Sequence, residues 1–293
     1  MNVVAYSYFR HQNSAYESER AGAGRGRFFV NYIRAIVRGH HAVYPDWAMW
    51  IYHDDRVTEY ENWPILKKWE EAGLFRLIYM GKANRLCESM LWRMLPIWTT
   101  SVERLICRDV DSLSTPRERK AIDRWVHSGK AVSSLHDSVS HSGDILMGGM
   151  VAFRTEWVSY RIHSWQEMIK RAEGFGIDLD QHGSDQQLLN ALIYPAAAAA
   201  GEIVSEDKAS LGPRDHPIDQ LTAHIGGAYH VDPCVKWFSE NRSYCPRLDD
   251  IESCEAWPKA VALGKQWPSL VDRIKEHMEL GNSGDILPPV SGG

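Results

Sequence analysis

Arg104-Leu105-Ile106-Cys107-Arg108-Asp109-Val110-Asp111-Ser112 is the stretch on which the architecture and the chemistry of this chain turn. Arg104-Leu105-Ile106-Cys107 reads as an apolar strand, and a pair of carboxylates follows at its carboxyl end. In extended backbone, residues i and i+2 point to the same side, so Asp109 and Asp111 are expected to face one spot. Two like charges so close repel, which favours a cation beside them. A hard divalent ion such as Mn²⁺ or Mg²⁺ accepts carboxylate and phosphate oxygens together. It would neutralise charge building on a leaving diphosphate.

Upstream, residues 3–6 form a short strand, followed by a polar, glycine-rich stretch over 11–26. Phe29, Ile33, Ile36 and Val37 recur at helical spacing from Arg27, and Gly39 is expected to stop that helix. His40 and His41, just past it, read as surface residues. A second strand over 48–52 ends in His53-Asp54-Asp55. A helix over 59–72 closes at Gly73, a third strand spans 74–79, and a helix over 87–98 is interrupted or ended near Pro96.

Downstream, Thr115-Pro116-Arg117-Glu118 is a capping box with proline at the first helical position, and Gly129 ends that helix. Residues 130–154 alternate short strands with a polar stretch over 135–144. Helices are expected near 157–173 and 185–193. Beyond Pro195 the chain reads as irregular, apart from a helix at about 268–280 and a disordered tail from about 281. This alternation predicts an α/β fold with a parallel sheet covered on both faces. Ligands of such sheets sit beyond the carboxyl ends of the strands, where Asp109 and Asp111 fall. The expected organisation is a core over 1–195 and a C-terminal extension over 196–293.

The 293 residues, 44% hydrophobic and 24% charged, are those of an ordinary globular enzyme domain with a modest extension. No apolar run approaches the ~20 residues of a membrane span. The N-terminus lacks the basic start and apolar stretch of a secretory leader, so the cytoplasm is the expected location. Five cysteines, an odd number without a CxxC pair, speak against a zinc ribbon or a disulfide framework. The net charge of −5 gives no global attraction to nucleic acid or anionic membrane. Arg20, Arg25, Arg27, Arg34 and Arg38 cluster early, as a local basic groove or as a solvated helix face.

Several segments carry a family resemblance: Glu88-Ser89-Met90-Leu91-Trp92-Arg93-Met94-Leu95-Pro96, Ile106-Cys107-Arg108-Asp109-Val110-Asp111-Ser112, Pro116-Arg117-Glu118, Ile122-Asp123-Arg124-Trp125, Gly148-Gly149-Met150 and Ser184-Asp185-Gln186-Gln187-Leu188-Leu189. In this order they resemble the DXD-containing glycosyltransferases of the GT-A fold, of bacterial and phage type, over residues 3–195. The resemblance implies a Rossmann-like, mixed and mostly parallel sheet flanked by helices. It also implies transfer of a sugar from a nucleotide-diphosphate donor, UDP-hexose favoured, with Mn²⁺ or Mg²⁺ as cofactor.

Carried over by residue, the resemblance has Asp109 contact the ribose or bind the metal through water, and Asp111 ligate it directly. Tyr6, Ser7 and Tyr8 would line the nucleotide pocket. Arg93 would reach the donor, or else form a structural ion pair. Gly148-Gly149-Met150 would let backbone approach the donor sugar, or else form a bulge. Asp185 matches an acidic residue near the sugar's reacting centre, although a carboxylate opening a helix is also a natural N-cap. His136-Asp137 and His141 would frame the donor sugar or the acceptor, with Asp137 a second catalytic candidate. A C-terminal histidine would complete the metal shell: of His216, His224 and His230, His224-Ile225-Gly226-Gly227 is nearest the His-x-x-Gly pattern of retaining relatives. The lysine, proline and tryptophan expected soon after are replaced by His230-Val231-Asp232-Pro233, with Lys236-Trp237 displaced, so a structural histidine stays an alternative.

Two other functions use similar residues. A divalent-metal nucleotidyltransferase or phosphohydrolase would offer a phosphate loop, but Gly22-Ala23-Gly24-Arg25-Gly26 lacks the Walker lysine and Ser/Thr. A non-catalytic sugar-binding module on the same scaffold would not need intact Asp109, Asp111 and Asp185. The acceptor stays open between a glycan, a lipid, a protein and a hydroxymethylated base in phage DNA. The twelve tryptophans and the early arginines suit the DNA base, though tryptophan is also an ordinary core residue.

Overall fold

The computed structural model describes residues 1–9, 25–59, 63–82, 85–138, 145–222 and 225. Its strands are β1 (Asn2–Tyr8), β2 (Ala48–His53), β3 (Arg76–Tyr79), β4 (Arg104–Asp109), β5 (Val132–His136), β6 (Met150–Arg154) and β7 (Ile203–Asp207). The helices are α1 (Arg25–Val43), α2 (Trp63–Glu71), α3 (Leu86–Leu91), α4 (Pro116–Ser128), α5 (Thr155–Ser159), α6 (Trp165–Gly174), α7 (Ser184–Leu192) and α8 (Tyr194–Ala199). A 3₁₀ helix, Trp92–Trp98, prolongs α3 and carries Pro96 inside it. Among the described residues no helix is long and apolar enough to cross a membrane.

The strands form one sheet in the order β3-β2-β1-β4-β6-β5-β7. Parallel pairs join β1 to β2 and β4, β2 to β3, and β5 to β7. β6 lies antiparallel between β4 and β5, so the sheet is mixed and mostly parallel rather than wholly parallel. Alternation along β1 divides the interior: Val3 and Ala5 face a core built with α3 and α5 to α8, while Val4, Tyr6 and Tyr8 face one built with α1, α2 and α4.

α4 follows its signals. Thr115 accepts from the Glu118 backbone N–H at 3.2 Å, Pro116 begins the helix, and Gly129 closes it at φ 69°. Elsewhere tertiary packing overrides local rules. Gly39 does not stop α1, which runs to Val43; a Cβ there would lie 2.5 Å from Leu113 Cδ1, so this glycine permits a close helix–loop contact. His40 and His41 belong to the last turn of α1 and are buried, not on the surface. Residues 196–207, expected to be irregular, hold most of α8 and the edge strand β7. The expected C-terminal helix and tail lie outside the described residues.

β4 itself departs from expectation in a way that shapes the site. The strand runs through Asp109 and then turns, the Ser112 N–H closing on the Asp109 carbonyl at 3.1 Å. Pairing ends at Ser7 opposite Asp109 on one side and at Met150 opposite Arg108 on the other. Asp111 thus comes near Asp109 through a turn, not through the period of two of extended backbone.

Candidate functional site

The site grows from the carboxyl ends of β1 and β4. Ser7 sits beside Asp109, and its hydroxyl donates to the Met90 carbonyl at 2.9 Å while accepting the Arg93 N–H at 3.0 Å. Those two bonds fasten the junction of α3 and the 3₁₀ helix onto β1, and Arg93 projects from that junction. Cys107, on the same face of β4, approaches the Arg93 carbonyl with its thiol at 3.7 Å.

The buried Arg93 guanidinium joins two carboxylates. One nitrogen, Nη1, pairs with Asp109, and Nη2 donates to Asp185 Oδ2 at 2.7 Å. Burial alone would lower the Arg93 pKa, but Asp109 and Asp185 raise it above its ordinary value, so the group stays charged. The structure thus shows the ion-pair reading of this residue, with the site candidates Asp109 and Asp185 as its partners.

Asp185 occupies the first turn of α7 but does not cap it. The N-cap is Gly183, at φ 85° and without a side-chain bond. Asp185 is 1% exposed; Oδ2 takes Arg93, and Oδ1 has no hydrogen-bond partner among the described residues. Burial pushes its pKa up more than Arg93 offsets, and Asp109 adds to the rise.

Two glycines wall this cluster. A Cβ on Gly148 would lie 2.1 Å from Asp185 Oδ2, and one on Gly149 would lie 1.8 Å from Asp109 Oδ2. Neither has positive φ, so space rather than backbone conformation demands glycine here. Met150, beside them, begins β6 and is buried. What the backbone approaches closely here is the pair of carboxylates, Asp109 and Asp185.

Asp111 stands at the edge of the cluster. Burial and then the neighbouring Asp109 push its pKa up to about 6. Asp109, Asp111 and Asp185 thus set three acids around Arg93, with Arg108, itself paired to Glu118, a further cation that acts on Asp111; acid is in surplus at the rim of the sheet. Among the described residues no group of three His, Cys, Asp or Glu side chains forms a ready-made metal cage. Asp109 and Asp111 are the described acids that could hold a Mg²⁺- or Mn²⁺-type ion, a kind of ion that takes one or two carboxylates and finds its remaining ligands on substrate phosphates.

Other candidates are placed elsewhere. Tyr6 and Tyr8 are buried on the opposite face of β1 from Ser7, and burial raises the Tyr6 pKa to about 12. Asp137 pairs with Arg117 and accepts the Ile225 N–H at 2.9 Å, and the Arg117 backbone N–H donates to Asp219 at 3.0 Å. This second cluster ties Asp219 and Ile225 to Arg117 at the start of α4 and to Asp137. His136 places Nε2 2.9 Å from the Ile145 carbonyl. His216 caps a 3₁₀ turn by accepting the Ile218 N–H at 3.1 Å. His141, His224 and His230 lie outside the described residues.

In the sequence Arg108 has no assigned site role and Glu118 only a place in the capping box; both are fully buried. The available signal was an arginine inside an otherwise apolar strand: such a cation must find an acid within the core.

No family model matches the chain, and no curated protein matches it in sequence. Among solved structures it is similar to the glycosyltransferase GlyE of Streptococcus pneumoniae TIGR4, at 12% identity and TM-score 0.42, over 70% of this chain and 45% of that one. It is also similar to a Bacillus anthracis protein assigned as a glucose-1-phosphate thymidylyltransferase, at 9% identity and TM-score 0.42, over 70% and 86% of the chains. Residues 1–349 of TarS from S. aureus match at 11% identity and TM-score 0.38, over 98% and 93%. The chain spans about 45% of the length of the first of these. Function has to be read from the side chains themselves.

Proposed function

We propose that this chain is a glycosyltransferase that moves a sugar, a UDP-linked hexose favoured, from a nucleotide-diphosphate donor to a hydroxyl acceptor with Mn²⁺ or Mg²⁺. The observation that carries the reading is the Arg93 bridge between Asp109 and Asp185, walled by two glycines whose replacement would drive a side chain into those carboxylates. Such a pocket brings backbone, one cation and surplus acid together at the carboxyl ends of parallel strands.

When bound, the ion would neutralise negative charge on the leaving diphosphate. Asp109 and Asp111 supply the hard oxygens that would hold it, with His224 as the proposed further ligand. Ser7 fixes Arg93, and Arg93 fixes both Asp109 and Asp185. Asp185 Oδ1 is wholly buried and without a partner among the described residues, so an incoming sugar hydroxyl would satisfy it only once the backbone at Gly148 gives way. The Arg93 charge keeps the buried Asp185 acceptor from being more costly still. Asp137, tied to Arg117 and Ile225, is kept as the second catalytic candidate. The acceptor remains a glycan, lipid, protein or modified DNA base, and the cytoplasm is the proposed location.

The test is incubation of the protein with nucleotide-sugars and Mn²⁺. Slow release of nucleoside diphosphate and free sugar supports the proposal. Nucleoside monophosphate release would point to a nucleotidyltransferase or phosphohydrolase, and binding without turnover to a sugar-binding module.

A further inference from the structure

Behind Asp109, on the other face of β4, Arg108 is wholly buried. Its Nη1 donates to the Gly149 carbonyl at 3.2 Å and its Nη2 to the Leu113 carbonyl at 3.3 Å. The same Nη2 lies 3.2 Å from Glu118, whose carboxylate also accepts the Tyr44 hydroxyl at 3.0 Å. The two carbonyls belong to different loops. Gly149 ends the loop packed against Asp109, and Leu113 follows the turn that carries Asp111.

We propose that Arg108 is a positioning residue that clamps these two loops from the far side of the sheet and so sets the aperture between Gly149 and the Asp109–Asp111 turn. A guanidinium has donors in a rigid fork and can hold two carbonyls and a carboxylate at once, which a lysine ammonium on a flexible stem cannot. Glu118 is the third residue of α4, and Thr115 caps that helix, so the loop around Leu113 is held at both of its ends. The Arg108–Glu118 pair therefore does more than balance charge: it keeps the loops in register with the strand between them. As a statement about the donor site, this rests on the glycosyltransferase reading; as a statement about the loops, it does not.

The test is hydrogen exchange on the full chain, without any donor, for Arg108→Lys and for the double variant Arg108→Met/Glu118→Gln. The first keeps a cation beside Glu118. The second removes both charges, while the new side-chain amide oxygen can still accept from Tyr44. Loss of at least one charge-assisted bond is expected to speed exchange about tenfold or more in residues 110–114 and 147–150, with β1 and α6 keeping their protection. Binding of UDP with Mn²⁺ should weaken in step. Unchanged loop exchange in either folded variant would overturn the proposal, as would acceleration spread evenly through β1 and α6. If the loops loosen in wild-type-like folds while no nucleotide-sugar is ever turned over, the clamp stands and the glycosyltransferase reading falls.

Discussion

Arg93 and Asp185 stand 92 residues apart in the sequence, yet Arg93 Nη2 donates to Asp185 Oδ2 at 2.7 Å in the interior. Gly183, not Asp185, caps α7, so the pair is not a by-product of helix capping. Asp185→Asn keeps the size of the side chain and removes its charge. It is expected to lower donor hydrolysis by roughly 10²-fold or more with little change in nucleotide affinity, because the lost interaction strengthens in the transition state. Steady-state kinetics beside nucleotide titrations check this; near-wild-type turnover would remove Asp185 from the mechanism. Arg93→Ala, which leaves Asp185 buried and unpaired, should cost about 3–5 kcal/mol of stability.

Gly149 has room for a hydrogen and nothing larger. Gly149→Ala would place a methyl 1.8 Å from Asp109 Oδ2, so the carboxylate or the loop must move. A displacement of about 1 Å at a reacting centre costs about 10²-fold in rate, and that loss is expected here. Gly174→Ala is the control: among the described residues nothing lies within 4 Å of its Cβ. That helical site should gain roughly 0.4–1 kcal/mol by thermal denaturation and leave turnover alone. Equal activity of the two variants would mean that Gly149 does not border the site.

Asp111→Asn separates metal binding from folding. Relief of repulsion from Asp109 should leave the metal-free protein at least as stable as wild type. Mn²⁺-supported turnover should fall by roughly 100-fold or more. Calorimetric titration of UDP with and without Mn²⁺ reads the effect directly. Normal Mn²⁺-dependent binding by the variant would dismiss this residue as a ligand.

His40 and His41 make the fold sensitive to acid. Burial, and for His40 also its neighbour His41, lowers their pKa values to about 3 and about 4. In the unfolded chain both return to ~6.5, so below that pH the unfolded state binds more protons. Stability should therefore fall as pH drops from ~6.5 towards ~4, with a limiting slope of about 1.4 kcal/mol per pH unit for each histidine. Denaturant unfolding of wild type and His40→Gln across that range checks this. Gln can still donate to the Trp47 carbonyl that His40 Nε2 contacts at 3.0 Å, so a slope unchanged by the substitution would contradict the assignment.

What the sequence determined by itself was local or periodic. The strands before Ser7 and Asp109, the cap at Thr115 and the turn at Gly129 rest on neighbouring residues, and these formed where composition placed them. The Asp109–Asp111 pair was legible because a strand's end exposes it, although the turn that brings the acids near was not. Gly39, His40 and His41 misled because helix propensity and polarity are weak beside packing: Leu113 fills the space over Gly39, and the fold buries both histidines. Only tertiary structure decided that Arg93 binds Asp109 and Asp185, that Gly148 and Gly149 must lack side chains, and that Arg108 holds two loops. None of these contacts has a sequence period, because each joins chain segments that meet only when the sheet is assembled. A buried charge dictates that it must have a partner; which residue supplies it depends on where the fold brings the chain back.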